Sequence, residues 1–186
     1  NMAWGLGLGI IIDGNLYYGK SGFSGEFGHF CMFENEVLCH CGKKGCLETE
    51  ASGSAFHRIL MERYREGSNT ILAGELDSGE EISLGDLLEA VRKEDVLCID
   101  ILEKMGVNLG KGIAGLMNIF NPELVILGGT LSLAGEYISL PVKSAIRKYS
   151  LNLVNQDTEI KISKLGERAG AFGACLLSRS KLLGMI

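Results

Sequence analysis

Apolar positions change their spacing several times along the chain, and each change marks a predicted element. Ala3 to Ile12 is apolar with interspersed glycine, Asp13-Gly14-Asn15 interrupts it, and Leu16-Tyr17-Tyr18 resumes it. This is the pattern of two antiparallel strands around a tight turn. Gly19 to Gly28 is a loop by composition, Phe30 to Phe33 is a short strand, and Glu34 to Cys46 carries neither a helical nor a strand period. From Leu47 to Tyr64, Ala51, Ala55, Ile59 and Leu60 recur at helical spacing, with Glu48 in the first turn where the helix dipole favours a carboxylate. Gly67 to Glu81 is polar and reads as a surface excursion. Ser83-Leu84-Gly85-Asp86 has the form of a capping box opening a short helix to Arg92.

The most regular element follows. Ile99, Leu102, Gly106, Leu109, Ile113, Leu116 and Phe120 alternate spacings of three and four, which lays one stripe along a helix ended by Asn121-Pro122. Gly106, Gly110, Gly112 and Gly115 each cost up to about 1 kcal/mol against Ala inside a helix, so some of them are expected to permit close backbone approach. Leu124 to Leu127 is an apolar strand ending in Gly128-Gly129, Ile138 to Tyr149 a helix, Glu159 to Ser163 a strand and Arg168 to Leu183 a final helix. The alternation predicts an α/β fold with a mixed sheet, built as one unit over residues 1–186.

Composition narrows the function classes. Lys+Arg 18 against Asp+Glu 23 leaves a formal charge of -5, which argues against this segment itself docking nucleic acid or an anionic membrane. The apolar runs fall far short of the ~20 residues of a bilayer span, and no basic segment precedes an apolar one at the start. The expectation is a cytoplasmic location with no membrane partner.

Candidate chemistry is concentrated in the cysteines. Of six, Cys31, Cys39, Cys41 and Cys46 fall inside sixteen residues. His29, Cys39, Cys41 and Cys46 give H-x9-C-x-C-x4-C, three thiols and one imidazole, which is a usual donor set for structural zinc, and Gly42 and Gly45 would let the chain turn tightly around an ion. The alternative is ordinary reduced cysteines beside a surface histidine. Among competing ligands, His40 would point away if Cys39 and Cys41 both face the metal, and Cys31 is expected in the core. Cys98 and Cys175 are expected to be buried packing residues on helices.

The strings GEFGH and CHCGKKGCLE, with the opening GLGLGIIIDGNLYYG and the later NPELVILGG, resemble the signature of the ROK family of repressors, open reading frames and sugar kinases. The resemblance covers nearly the whole chain and implies the C-terminal lobe of an actin-like ATPase (ribonuclease H-like) fold with a zinc-binding loop. It places zinc ligands on His29, Cys39, Cys41 and Cys46, and sugar-hydroxyl contacts on Glu26, His29 and Glu48. A metal-bound imidazole is fixed in tautomer, leaving its other nitrogen for a hydroxyl, and the two carboxylates can accept from neighbouring hydroxyls. Without the motif, Glu26 would read as a solvated loop residue and Glu48 as a helix-start charge.

The family divides into sugar kinases and transcription factors. Its kinases open this lobe with a G-T-G turn that approaches the ATP phosphates, whereas the matching positions here are Ala3, Trp4 and Gly5, where an indole replaces the small hydroxyl. Trp4 could equally be packing at a strand end. Gly128 and Gly129 could line an adenine site or serve a plain turn. No carboxylate here is placed by motif as the general base of a kinase. The resemblance implies a sugar-sensing regulator, with a sugar effector, a homo-oligomeric state and DNA contact through an upstream domain absent from these residues; the alternative is a ROK sugar kinase. The abrupt start at a strand is read as a fragment of a longer protein lacking its N-terminal lobe.

Overall fold

The computed structural model describes residues 1–184, the side chain of Glu167 excepted. The opening hairpin pairs β1 (Ile11–Ile12) with β2 (Asn15–Leu16) in the register Ile11↔Leu16 and Ile12↔Asn15. Its two-residue turn holds Asp13 at φ 51° and Gly14 at φ 78°, the positive pair that lets a short turn follow the strand twist. The hairpin is much shorter than the apolar pattern predicts. Backbone amides upstream of it have other partners: Leu6 donates to the Glu48 carboxylate, Leu8 to the Gly25 carbonyl and Gly7 to the Asn1 carbonyl.

The second strand pair is parallel, β3 (Leu124–Leu127) beside β4 (Glu159–Ile162). Among the described residues the two pairs are separate sheets, so the expected single mixed sheet is corrected to one antiparallel and one parallel ribbon. Phe30 to Phe33 contributes only an isolated bridge at Cys31.

The helices are α1 (Glu48–Ala51), α2 (Gly53–Arg65), α3 (Ala73–Ser78), α4 (Leu84–Arg92), α5 (Val96–Phe120), α6 (Glu136–Tyr149), α7 (Asn152–Asp157) and α8 (Ala169–Leu182). The expected helix from Leu47 to Tyr64 is broken at Ser52, which is extended (φ -114°, ψ 172°) and turns its hydroxyl to the Ala55 N–H. A serine that caps restarts the helix there instead of continuing it. The polar stretch from Gly67 contains α3, and α7 was not anticipated. The capping box at Ser83 and Asp86 is present as expected, with both reciprocal bonds.

Helix α5 is the central element, with Leu102, Met105, Leu109 and Met117 buried along it. A Cβ on Gly106 would stand 2.8 Å from the Pro141 Cβ, and one on Gly110 would stand 2.6 Å from both the Ala145 Cβ and the Val142 carbonyl oxygen. These two glycines therefore let α6 lie directly on α5. A Cβ on Gly112 would stand 2.8 Å from the Phe27 ring, so the same helix seats the loop that precedes the cysteines. Gly115 faces open space and has no such role. Cys98 is buried as expected, whereas Cys175 is exposed on α8, correcting the expectation of a packed thiol. No helix among the described residues is long and apolar enough to cross a membrane.

The start of α5 is fixed by Asp95, whose carboxylate accepts from the N–H of Cys98 (2.8 Å), the N–H of Ile71 (2.7 Å) and the Thr70 hydroxyl (2.9 Å). Burial pushes this carboxyl up, but the three donors outweigh burial and hold it below the ordinary carboxylate range.

Two stability outcomes follow from these contacts. Gly110→Val should lower the unfolding free energy by on the order of 1–3 kcal/mol in urea denaturation, since neither Ala145 nor the α6 backbone can retreat. Asp95 has a lower pKa folded than unfolded, so its contribution is complete above about pH 4 and is lost as pH falls through the folded value. Asp95→Asn should therefore remove part of the acid-side decline in denaturant midpoint; an unchanged pH profile would contradict this role.

Candidate metal centre and its flanking acids

The cysteine loop has little apolar content, and its shape comes from glycine and backbone bonds. Cys39 donates its N–H to the Lys43 carbonyl at 2.8 Å, and Gly42 donates to the Cys39 carbonyl at 2.9 Å, folding Cys39 to Lys43 into a tight turn. Gly42 (φ 82°) inside that turn and Gly45 (φ 77°) just after it occupy the left-handed region. Leu38 then pairs with Lys44, and Cys31 with Cys46. The Thr49 hydroxyl donates to the Cys46 carbonyl at 2.8 Å, fastening the start of α1 to the loop. His29 arrives from the other side, at the end of a short 3-10 turn over Phe27–His29.

The loop brings His29, Cys39, Cys41 and Cys46 together with their donor atoms all within 4.8 Å of one another. Cys39 Sγ lies 3.5 Å from His29 Nδ1, and Cys41 Sγ lies 3.6 Å from Cys46 Sγ. A tetrahedron with Zn–S near 2.3 Å and Zn–N near 2.05 Å has S···S edges of about 3.8 Å and S···N edges of about 3.6 Å. These two edges come close to that figure, and the other donor pairs lie within 4.8 Å. The residues present thus fit a zinc-sized ion held by three sulfurs and the Nδ1 of His29.

The electrostatics point the same way. Burial pushes the Cys46 thiol up to about 12, with Cys41 and Cys39 adding to the effect, and burial also raises Cys39. Cys41 is lowered, chiefly by the Lys43 backbone N–H. Two of the three sulfurs therefore resist ionising unless a cation supplies the missing positive charge. Lys44 pairs with Glu36.

Of the competing ligands, His40 lies outside the cluster and is exposed, as expected. Cys31 also lies outside it but is exposed, not in the core as the sequence suggests.

The sequence-derived sugar contacts gather around this cluster. His29 Nε2, the nitrogen turned away from Cys39, stands 3.8 Å from Glu26 Oε2. Glu48 Oε1 is 3.8 Å from Cys39 Sγ on the other side, while its Oε2 accepts the Leu6 N–H at 2.9 Å. Glu26 is exposed, and His29 and Glu48 are half-buried. An imidazole and two carboxylates thus flank the cysteine cluster, with Glu48 Oε2 already accepting from the backbone.

Close approach explains positions that motif reading left without a reason. A Cβ on Gly28 would stand 2.4 Å from the Leu6 carbonyl oxygen and 3.3 Å from Glu48. Glycine at 28 therefore lets the GEFGH turn lie against the segment that carries Leu6. Gly129, at φ 92°, packs against Asn1 and Met2, with Met2 N–H on the Gly128 carbonyl at 2.6 Å and Leu131 N–H on the Met2 carbonyl at 2.9 Å. Trp4 is 51% exposed, its ring 5.9 Å from that of His57. Its carbonyl and that of Ala3 accept from Ser54 and Gly53, the first amides of α2.

Comparison with known proteins places this geometry in a family. The chain is 35% identical over 170 residues to a glucokinase from Halalkalibacterium halodurans, covering 91% of this chain and 52% of that protein. It is 34% identical over 183 residues to a xylose repressor from Caldicellulosiruptor bescii, covering 96% and 45% respectively. The crystal structure of a ROK family glucokinase from Streptomyces griseus in complex with glucose and AMPPNP is similar at a TM-score of 0.84 and 31% identity, over 96% of this chain and 59% of that one. The chain spans about half the length of the curated relatives it matches. The ROK family profile matches residues 2–181, and the chain belongs to the ROK family, whose members similar to it include both repressors and glucokinases.

Proposed function

We propose that this chain is the effector-binding C-terminal lobe of a sugar-sensing ROK transcriptional regulator, with structural zinc on His29, Cys39, Cys41 and Cys46. The ion acts as a positioning device. It fixes the His29 imidazole through Nδ1 and leaves Nε2 beside Glu26 to meet a sugar hydroxyl, with Glu48 accepting from another. In the intact cytoplasmic protein, sugar would bias the disposition of the lobes within a homo-oligomer and so the spacing of upstream DNA-binding helices.

The observation that carries the regulator half of this reading is Trp4. Phosphate cradles in nucleotide-binding turns are built from free backbone amides and small side chains. Here a half-exposed indole takes the small residue's place, and the neighbouring α2 amides of Gly53, Ser54 and Ala55 already have protein acceptors. Gly129 is likewise accounted for by its contact with Met2. The second reading, a ROK sugar kinase using Gly128 and Gly129 beside adenine, is favoured by the likeness to the Streptomyces griseus glucokinase.

Two measurements on the intact protein test this. Metal analysis should find about one zinc per chain, as one Cys3His set binds one ion. Cys41→Ser should lose the ion together with sugar binding in titration calorimetry, and stoichiometric zinc in that variant would count against the centre. With ATP and a panel of hexoses and amino sugars, phosphorylation should stay far below the ~1 s⁻¹ of ordinary enzymes, while one sugar shifts operator affinity. Turnover at enzymatic rates would establish the kinase instead.

A further inference from the structure

Cys31 stands outside the metal-donor set yet directly across the chain from one of its members. Met32 donates its N–H to the Gly45 carbonyl at 2.8 Å, and Leu47 donates to the Phe30 carbonyl at 2.9 Å. The Cys31–Cys46 pair between these bonds is therefore the closely spaced, non-hydrogen-bonded kind of antiparallel pair. In such a pair the Cα atoms stand about 4.5 Å apart and both side chains leave the same face, within the roughly 4.4–6.8 Å that a disulfide spans. Gly45 keeps the space open, since a Cβ there would stand 3.1 Å from Cys31 Sγ and 2.1 Å from the Phe33 carbonyl oxygen. The two thiols differ in access: Cys31 is exposed, and Cys46 is 0% exposed.

We propose that Cys31 is an oxidation site for hydroperoxides, and that its product is a Cys31–Cys46 disulfide that removes one of the four donors from the metal centre. The proposal rests on the reading of His29, Cys39, Cys41 and Cys46 as that centre. In the first step the Cys31 sulfur attacks the O–O bond; an S–O bond forms, the O–O bond breaks, and the leaving hydroxide takes the thiol proton as water. In the second step the Cys46 sulfur, a thiolate while it holds the metal, attacks the sulfenic sulfur of Cys31; the S–S bond forms, the S–O bond breaks, and the leaving hydroxide takes a proton from solvent. One thiol and one metal-bound thiolate are oxidised to a disulfide and, with one proton from solvent, one hydrogen peroxide is reduced to two waters.

Cys41 is nearer to Cys46, at 3.6 Å, but both belong to the donor set. Cys31 is the thiol beside the cluster that remains free when the set is engaged. A disulfide sulfur has no thiolate charge to offer a cation, so only His29, Cys39 and Cys41 would remain. The imidazole would then lose part of what fixes it, which couples the oxidation state of one exposed thiol to the proposed sugar site.

The test is to treat the zinc-loaded intact protein with hydrogen peroxide, follow zinc release with a chromophoric chelator, and map disulfides by mass spectrometry of unreduced peptides. The Cys31–Cys46 peptide pair should accumulate in step with zinc release, and dithiothreitol with added zinc should reverse both. Cys31→Ser should bind zinc as before and release it about tenfold more slowly or worse, whereas Cys175→Ser, an exposed thiol on a distant helix, should behave as the parent. Zinc release from Cys31→Ser at the parent rate, or a mapped bond confined to Cys39, Cys41 and Cys46, would overturn the proposal. A protein that purifies without metal would remove the metal-centre reading, and the mapped Cys31–Cys46 bond would still decide whether the oxidation site exists.

Discussion

Three thiols and a neutral imidazole lie inside 4.8 Å of one another, the thiols cannot all ionise without a cation among them, and the cysteine loop holds them together under that constraint. Two like charges about 4 Å apart repel by about 4 kcal/mol at an effective dielectric of ~20, so a metal-free cluster keeps its buried thiols neutral. Burial is the leading cause of the upward shifts of Cys39 and Cys46, and the neighbouring Cys41 thiol adds to both. A divalent ion reverses the sign of the local field and makes the same crowding favourable. What surrounds the cluster then inherits a fixed geometry. His29 is oriented through Nδ1, and Thr49 ties the Cys46 carbonyl to the start of α1. Glu48, on that helix, reaches both Cys39 and the Leu6 backbone.

A loop this poor in apolar side chains needs a rigid floor, and α5 supplies it. Gly112 admits the Phe27 ring and Leu47, the two apolar residues that flank the donor segment, while Gly106 and Gly110 on the same helix admit α6. The cost of Gly106, Gly110 and Gly112 inside one helix is offset by the close approaches that an alanine Cβ at each would prevent. Backbone-to-backbone seating of this kind leaves little room for rearrangement. Motion at the proposed sugar contacts would therefore have to come from His29 and the exposed Glu26, not from α5.

Much of this organisation was legible in the sequence because it depends on local chemistry. Asp-Gly at the hairpin, the Ser83 to Asp86 box, the stripe along α5 and the spacing of His29, Cys39, Cys41 and Cys46 each carry their own physical signature, and each is found where the residues imply. The errors share one cause, tertiary partners that periodicity does not record. The segment from Gly5 to Gly9 reads as strand, but its amides bond to Glu48 and Gly25. The first helix reads as continuous, but Ser52 caps and Ala3 accepts from the amide of Gly53. Cys31 and Cys175 read as core because their neighbours are apolar, yet both thiols are exposed. No period could have revealed that Cys31 lies opposite Cys46, since that pairing is set by the tight turn between Cys39 and Lys43.

The same tertiary bonds bear on how a kinase and a regulator can share one lobe. A helix N-terminus offers anions a partial positive charge only while its first amides lack acceptors. At α2 the carbonyls of Ala3 and Trp4 and the Ser52 hydroxyl fill those positions, so the amide donors that a nucleotide phosphate could use there are already engaged. Adding an indole at Trp4 further reduces approach without disturbing the backbone bonds, because only the side chain changes. The proposed sugar contacts Glu26, His29 and Glu48 lie on other elements, at the Phe27–His29 turn and on α1. On the proposed reading, the filled α2 amides and the Trp4 indole would together weaken phosphate handling, while Glu26, His29 and Glu48 stand apart from both.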